Sequence, residues 1–136
     1  MSELADYGLS LRQQVHGADR IARMQELEPE LTAPFELVAN NAYGAVWGRT
    51  DELALKLRSL VTVAIISAIG EEDEFRAHLR AARRAGWSRQ ELLEALLHTV
   101  LYAGAPRGQR AMHVALDVFS QEIEDASQRV RHRTPR

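Results

Sequence analysis

No proline interrupts the chain between Pro34 and Pro106, and throughout that stretch the apolar residues recur at three- and four-residue intervals. That spacing lines apolar side chains along one stripe of a helix, whereas strands need alternation. Strand signals are missing: no Asn-Gly hairpin dipeptide occurs, and no β-branched run exceeds Val61-Thr62-Val63. The pattern predicts an all-α fold of about six or seven helices.

The boundaries follow from caps and breakers. A first helix is expected from Leu4 to Gln14, ending near Gly17, and a second from Ala18 to Leu27. Pro34 stands where a third could start, continuing from Phe35 to Tyr43 before Gly44 and Gly48 loosen the chain. Asp51 is an N-cap candidate for a helix running to Ile69, with Gly70 as its stop. That helix is apolar on most sides, through Leu53, Leu57, Leu60, Val61, Ala64, Ile65 and Ala68, and so belongs in the centre of a bundle or an oligomer. The next runs from about Glu72 to Ala85 and stops at Gly86. Ser88-Arg89-Gln90-Glu91 is a capping box for a helix that buries Leu92, Leu93, Leu96, Leu97 and Val100 and stops near Gly104. Pro106 suits the first turn of a last helix carrying Ala111, Val114, Ala115, Val118 and Phe119.

Composition narrows the chemistry. The chain of 136 residues is one domain's worth of sequence. It contains no cysteine, which excludes disulfides, thiolate metal sites and cysteine nucleophiles. Lys and Arg number 17 against 19 Asp and Glu, a net charge of -2 that argues against a nucleic-acid partner. The N-terminus has neither the basic nor the apolar segment of a leader, and the apolar run from Leu60 to Ile69 is too short to span a bilayer. The expectation is a cytoplasmic protein with no membrane partner. Residues 1–128 read as one domain and residues 129–136, with Arg129, Arg131, Arg133 and Arg136, as a basic, frayed tail.

Two Glu-x-x-x-His pairs carry the chemical signal: Glu74 with His78, and Glu94 with His98. A spacing of four puts both members on one helix face. Ala82 and Ala85 continue the first face with small side chains, and Tyr102 extends the second. Such pairs also occur as ordinary surface contacts. A di-metal carboxylate site built on His78, His98, Glu74 and Glu94 is a further reading, but it usually uses Glu-x-x-His spacing. Arg58, inside an apolar helix, is either a buried ion pair, a snorkelling side chain or an anchor for a substrate carboxylate. Arg49 is a second candidate anchor. Trp47 reads as core packing or as a stacking surface.

Together these landmarks resemble the carboxymuconolactone decarboxylase family. The resemblance rests on Tyr43-Gly44-Ala45-Val46-Trp47-Gly48-Arg49, on Leu57-Arg58-Ser59-Leu60-Val61-Thr62-Val63-Ala64 and on Glu74-Phe75-Arg76-Ala77-His78-Leu79-Arg80-Ala81-Ala82. It continues through Glu91-x-x-Glu94-x-x-Leu97-His98 and Tyr102-Ala103-Gly104-Ala105-Pro106, and Gly8-x-x-x-Arg12-x-x-Val15-x-Gly17 resembles the opening of the decarboxylases. The resemblance implies an alkylhydroperoxidase-like all-α fold assembled as a trimer or hexamer. Without cysteine, the chain falls on the decarboxylase side of that family. The implied reaction needs no cofactor and no metal: loss of CO₂ from the γ-carbon of an unsaturated lactone sends electrons into the lactone carbonyl. The protein must bind carboxylates, stabilise a dienolate oxygen and deliver a proton to carbon. Arg49 and Arg58 are the expected carboxylate anchors. His78 is the expected proton-transfer group, because imidazole ordinarily titrates near neutrality. Glu74 orients it or acts as the acid itself. Trp47, His98 and Tyr102 are expected to line the pocket. Arg107-Gly108-Gln109 departs from the small residues and Asn usual in that family after Pro106, and places Arg107 among the substrate-binding candidates. The changed pocket leaves open a related lyase or isomerase on another small carboxylic acid or biosynthetic intermediate, or a non-catalytic oligomeric small-molecule-binding or scaffold protein.

Overall fold

In a computed structural model the described residues are 2–27 and 29–133. Arg136, part of the basic tail, lies outside them. The described chain is all-α: α1 (Glu3–His16), α2 (Ala18–Glu26), α3 (Pro29–Ala42), a π-helical turn (Tyr43–Trp47), α4 (Leu55–Ile69), α5 (Glu72–Arg84), α6 (Arg89–Ala103) and α7 (Ala105–Arg133).

One half of the molecule is built on α4 to α7. Leu79 and Ala82 of α5, Leu92 and Leu96 of α6, and Val114, Ala115, Val118 and Phe119 of α7 form its buried core around Val63 of α4. The five apolar positions expected on α7 are all buried, because they recur on one stripe. Ser88 caps α6 with its hydroxyl on the Glu91 amide while the Glu91 carboxylate accepts from the Ser88 amide, the reciprocal capping box read from the sequence. Gly70 ends α4 in the left-handed region at φ 90°, where a side chain would be strained.

The other half packs α1 against α3 and the π turn. This approach is close: a Cβ added at Gly8 would lie 1.7 Å from the Asn40 carbonyl oxygen. A smaller cluster of Leu11, Val15, Trp47 and Ala81 joins this half to α5.

Three expectations about elements need correction. Pro34 does not start a helix; Pro29 opens α3 and Pro34 lies within it, with the loss of one ladder bond. Asp51 is not an N-cap: residues 49–53 form a turn held by Arg58, and Ala54 precedes the first turn of α4. Leu97 is not buried but 47% exposed. On α4 the inward stripe is Ser59, Val63 and Ser67, while Leu57, Val61, Ile65 and Ile69 face outward at spacings of four. The helical backbone of α7 runs through Arg133, with residues 124–133 exposed throughout.

Candidate active site

Where α5 meets α1 and the π turn, four aromatic rings close a circuit. Tyr43 stacks on Trp47 at 5.2 Å between centroids, one helical turn apart, and Trp47 lies 6.2 Å from His78. His78 meets His16 edge-on at 4.8 Å, and His16 returns to Tyr43 at 6.1 Å. His16 Nε2 and the Tyr43 hydroxyl are joined by a 2.9 Å hydrogen bond.

Beside this circuit lies an open cavity of about 80 Å³, lined by Arg12, His16, Arg20, Tyr43, Glu74 and the apolar Ile21, Met24, Phe35, Ala39 and Ala77. His78 stands behind it, in contact with His16. Arg12 is buried and fully engaged. Its guanidinium donates to both carboxylate oxygens of Glu36, at 2.7 and 2.9 Å, and to Oδ1 of Asn40 at 2.7 Å. Gln25 donates a further bond to Glu36. Arg20, half-buried on α2, makes no hydrogen bond or ion pair among the described residues.

The electrostatics are set by burial. Desolvation, followed by the cation of Arg20, lowers His78 to about 4. Desolvation, then His78 and the guanidiniums of Arg20, Arg12 and Arg84, lowers His16 to about 3. Both imidazoles are therefore neutral near pH 7, which overturns the expectation that His78 titrates there. Burial raises Tyr43 to about 12, so the phenol keeps its proton. Nδ1 of His78 is buried with no partner among the described residues, and Nε2 sits 3.8 Å from the Glu74 carboxylate, itself 68% exposed.

The structure brings Trp47, Glu74 and His78 together. It does not bring the other candidates there. Arg58 donates to the carbonyls of Leu53 (3.0 Å) and Arg49 (2.7 Å), so its guanidinium holds the turn before α4 and is not an open carboxylate anchor. Arg49 is exposed, 3.8 Å from Glu52. His98 and Tyr102 stack on each other on the outer face of α6, with Tyr102 81% exposed. Arg107 donates to the Ile69 carbonyl and lines a separate cavity of about 270 Å³ with Gly70, Glu72, Phe75 and Arg110. In that cavity the Arg110 guanidinium is already paired with Glu72. No group of three or more His, Asp or Glu among the described residues is arranged to hold a metal ion.

Arg12, His16, Arg20 and Tyr43 are the site residues that sequence reasoning left without a role. Arg12 had a signal: it falls on the inward stripe of α1 with Ala5, Gly8, Leu11 and Val15, where a charge needs a partner. His16 lies one turn further along that face.

Residues 33–117 match the Carboxymuconolactone decarboxylase family. The matched span contains Tyr43, Trp47, Glu74 and His78. The chain is 42% identical over 113 residues to a 4-carboxymuconolactone decarboxylase of Acinetobacter baylyi, covering 82% of this chain and 84% of the relative. It is 32% identical over 124 residues to a nitrosuccinic acid decarboxylase of Metarhizium robertsii, covering 89% and 85%. An uncharacterized 15.0 kDa protein of Paracoccus denitrificans is 29% identical over 104 residues, covering 75% of each chain.

Proposed function

The chain belongs to the carboxymuconolactone decarboxylase family, and from that premise we propose that it is a cofactor-independent carboxy-lyase acting on a carboxylated unsaturated lactone such as 4-carboxymuconolactone. One observation carries the site: the cavity beside His16, Tyr43 and Glu74 combines an unpaired guanidinium, Arg20, with a phenol and the neutral imidazole of His16, against which His78 packs from behind. That inventory meets the needs of the reaction. The C–C bond to the departing carboxylate breaks, and its electron pair moves through the ring double bond onto the lactone oxygen. A proton then returns to carbon. The lactone is the electron sink, so the protein's contribution is positioning and charge.

Arg20 serves as the carboxylate anchor. Arg12, on the cavity wall, remains locked to Glu36 and Asn40 and so leaves the anchoring role to Arg20. Proton delivery is assigned to the ring cluster that His78 and Glu74 flank. The similarity to a nitrosuccinic acid decarboxylase supports the same reaction class, loss of CO₂ from a small carboxylic acid.

The outward stripe of Leu57, Val61, Ile65 and Ile69, with Leu97 and Leu101 of α6, supports assembly into a homo-oligomer, a trimer or hexamer. No helix among the described residues is long and apolar enough to cross a membrane. Purified protein given the carboxylated lactone should release CO₂ in step with loss of substrate. Light scattering should give the mass of three or six chains. A monomeric mass would overturn the assembly, and no CO₂ from lactone or related acids would overturn the enzyme.

A further inference from the structure

We propose that Tyr43 is the residue that hands the proton to carbon, held in place by a hydrogen bond from His16, with His78 acting only through His16. The inference rests on the decarboxylase reading and assigns the proton within it. Tyr43 lines the cavity while His78 lies one ring behind, in contact with His16 and Trp47. The remaining polar walls are poor carriers. Arg12 and Arg20 are permanent cations, and Glu74 is mostly exposed. Neutral imidazole is a far weaker acid than imidazolium, and both histidines are held neutral by burial.

We take His16 as the tautomer with hydrogen on Nε2: that N–H then donates to Tyr43 Oη across the 2.9 Å contact, and the phenolic proton is left free for the cavity. Stacking on Trp47 at 5.2 Å fixes the ring plane. The π turn matters here, because it sets Tyr43 and Trp47 on one side of the chain in front of α5. In the step itself the C–CO₂⁻ bond breaks, CO₂ leaves and the electron pair rests on the lactone oxygen as a dienolate. The dienolate then collapses as its α-carbon forms a C–H bond with the Tyr43 proton. The phenolate left behind keeps the His16 N–H bond and regains a proton from water before the next turnover. One proton is consumed per CO₂ released, and nothing is oxidised or reduced.

The test is steady-state decarboxylation of the carboxylated lactone by wild type, Tyr43→Phe, His16→Gln and His16→Leu. Loss of an acid catalyst should lower kcat of Tyr43→Phe by about 10²–10⁴, with KM within threefold because Arg20 is untouched. His16→Gln, which keeps an N–H donor, should retain most of kcat, and His16→Leu should lose it. Where Tyr43→Phe is unstable, 3,5-difluorotyrosine at position 43 keeps the shape and acidifies the phenol. An alkaline limb should then appear in kcat that the unmodified enzyme lacks. Tyr43→Phe with kcat within threefold of an active wild type, equal losses for His16→Gln and His16→Leu, or no new limb would each overturn this assignment alone. A wild type that releases no CO₂ would overturn the decarboxylase reading, and this inference with it.

Discussion

His16 on α1 and His78 on α5 meet edge to face, with ring centroids 4.8 Å apart, in a part of the molecule where neither can hold a proton near neutral pH. The contact joins the N-terminal half of the fold to the core helix, and it makes the site sensitive to acid in a defined way.

In the unfolded chain each imidazole accepts a proton near pH 6.5. In the fold, burial lowers His78 to about 4 and His16 to about 3. Between these values the unfolded state binds more protons, so stability falls as pH drops from about 6.5, and the loss is complete below the folded values. The urea midpoint should therefore be lower at pH 5 than at pH 7.5, and the difference should shrink in the His16→Gln, His78→Gln double variant. A midpoint unchanged over that range would contradict the burial of both rings.

Arg12 and Glu36 form a buried two-pronged pair that ties α1 to α3. Removing one partner strands the other charge. Arg12→Ala should destabilise the protein by about 3–5 kcal/mol, read by denaturant unfolding. The hydrogen bonds from Arg12, then Gln25, hold Glu36 below its ordinary value. Their contribution is present above about pH 4.5 and is lost as pH falls through the folded value. Glu36→Gln should thus flatten the acid limb of stability below pH 4.5. A loss under 1 kcal/mol in Arg12→Ala would show that the pair is not buried as described.

Arg20 is the open cation of the site. A hydrogen bond to a charged group contributes about 1.5–3 kcal/mol, so Arg20→Gln should raise KM by roughly 10- to 100-fold and leave the fold intact. The same change removes a cation that depresses both histidines, and His78 should then titrate higher by NMR. An unchanged KM would move the carboxylate anchor elsewhere.

The helical architecture was legible because its signals are local. The α6 capping box, Gly70 at the end of α4 and the apolar stripe of α7 depend on near neighbours. Pro34 and Asp51 misled although the deciding features are near in sequence. Pro29 opens the helix more than a turn earlier, and the Arg58 side chain holds residues 49–53 in a turn, a side-chain-to-backbone contact that cap and breaker patterns do not encode. Of the residues gathered at the candidate site, Glu74 and His78 are singled out by spacing, and Trp47 by its place in the motif. Arg12 and His16 on α1, and Arg20 on α2, lie some sixty residues earlier in the chain and come near His78 only through tertiary packing, that of α1 on α5 above all. The shift of His78 away from neutrality likewise comes from burial, which spacing does not reveal. Arg58, the most conspicuous charge in the sequence, proved to bind backbone carbonyls.

The most direct test of the account is the rate of CO₂ release from 4-carboxymuconolactone by chelator-treated wild type beside His78→Ala. The account predicts turnover that survives chelation and falls in His78→Ala, which loses the ring backing His16, with the variant still folded. Turnover abolished by chelation, or a His78→Ala variant as active as wild type, would contradict it.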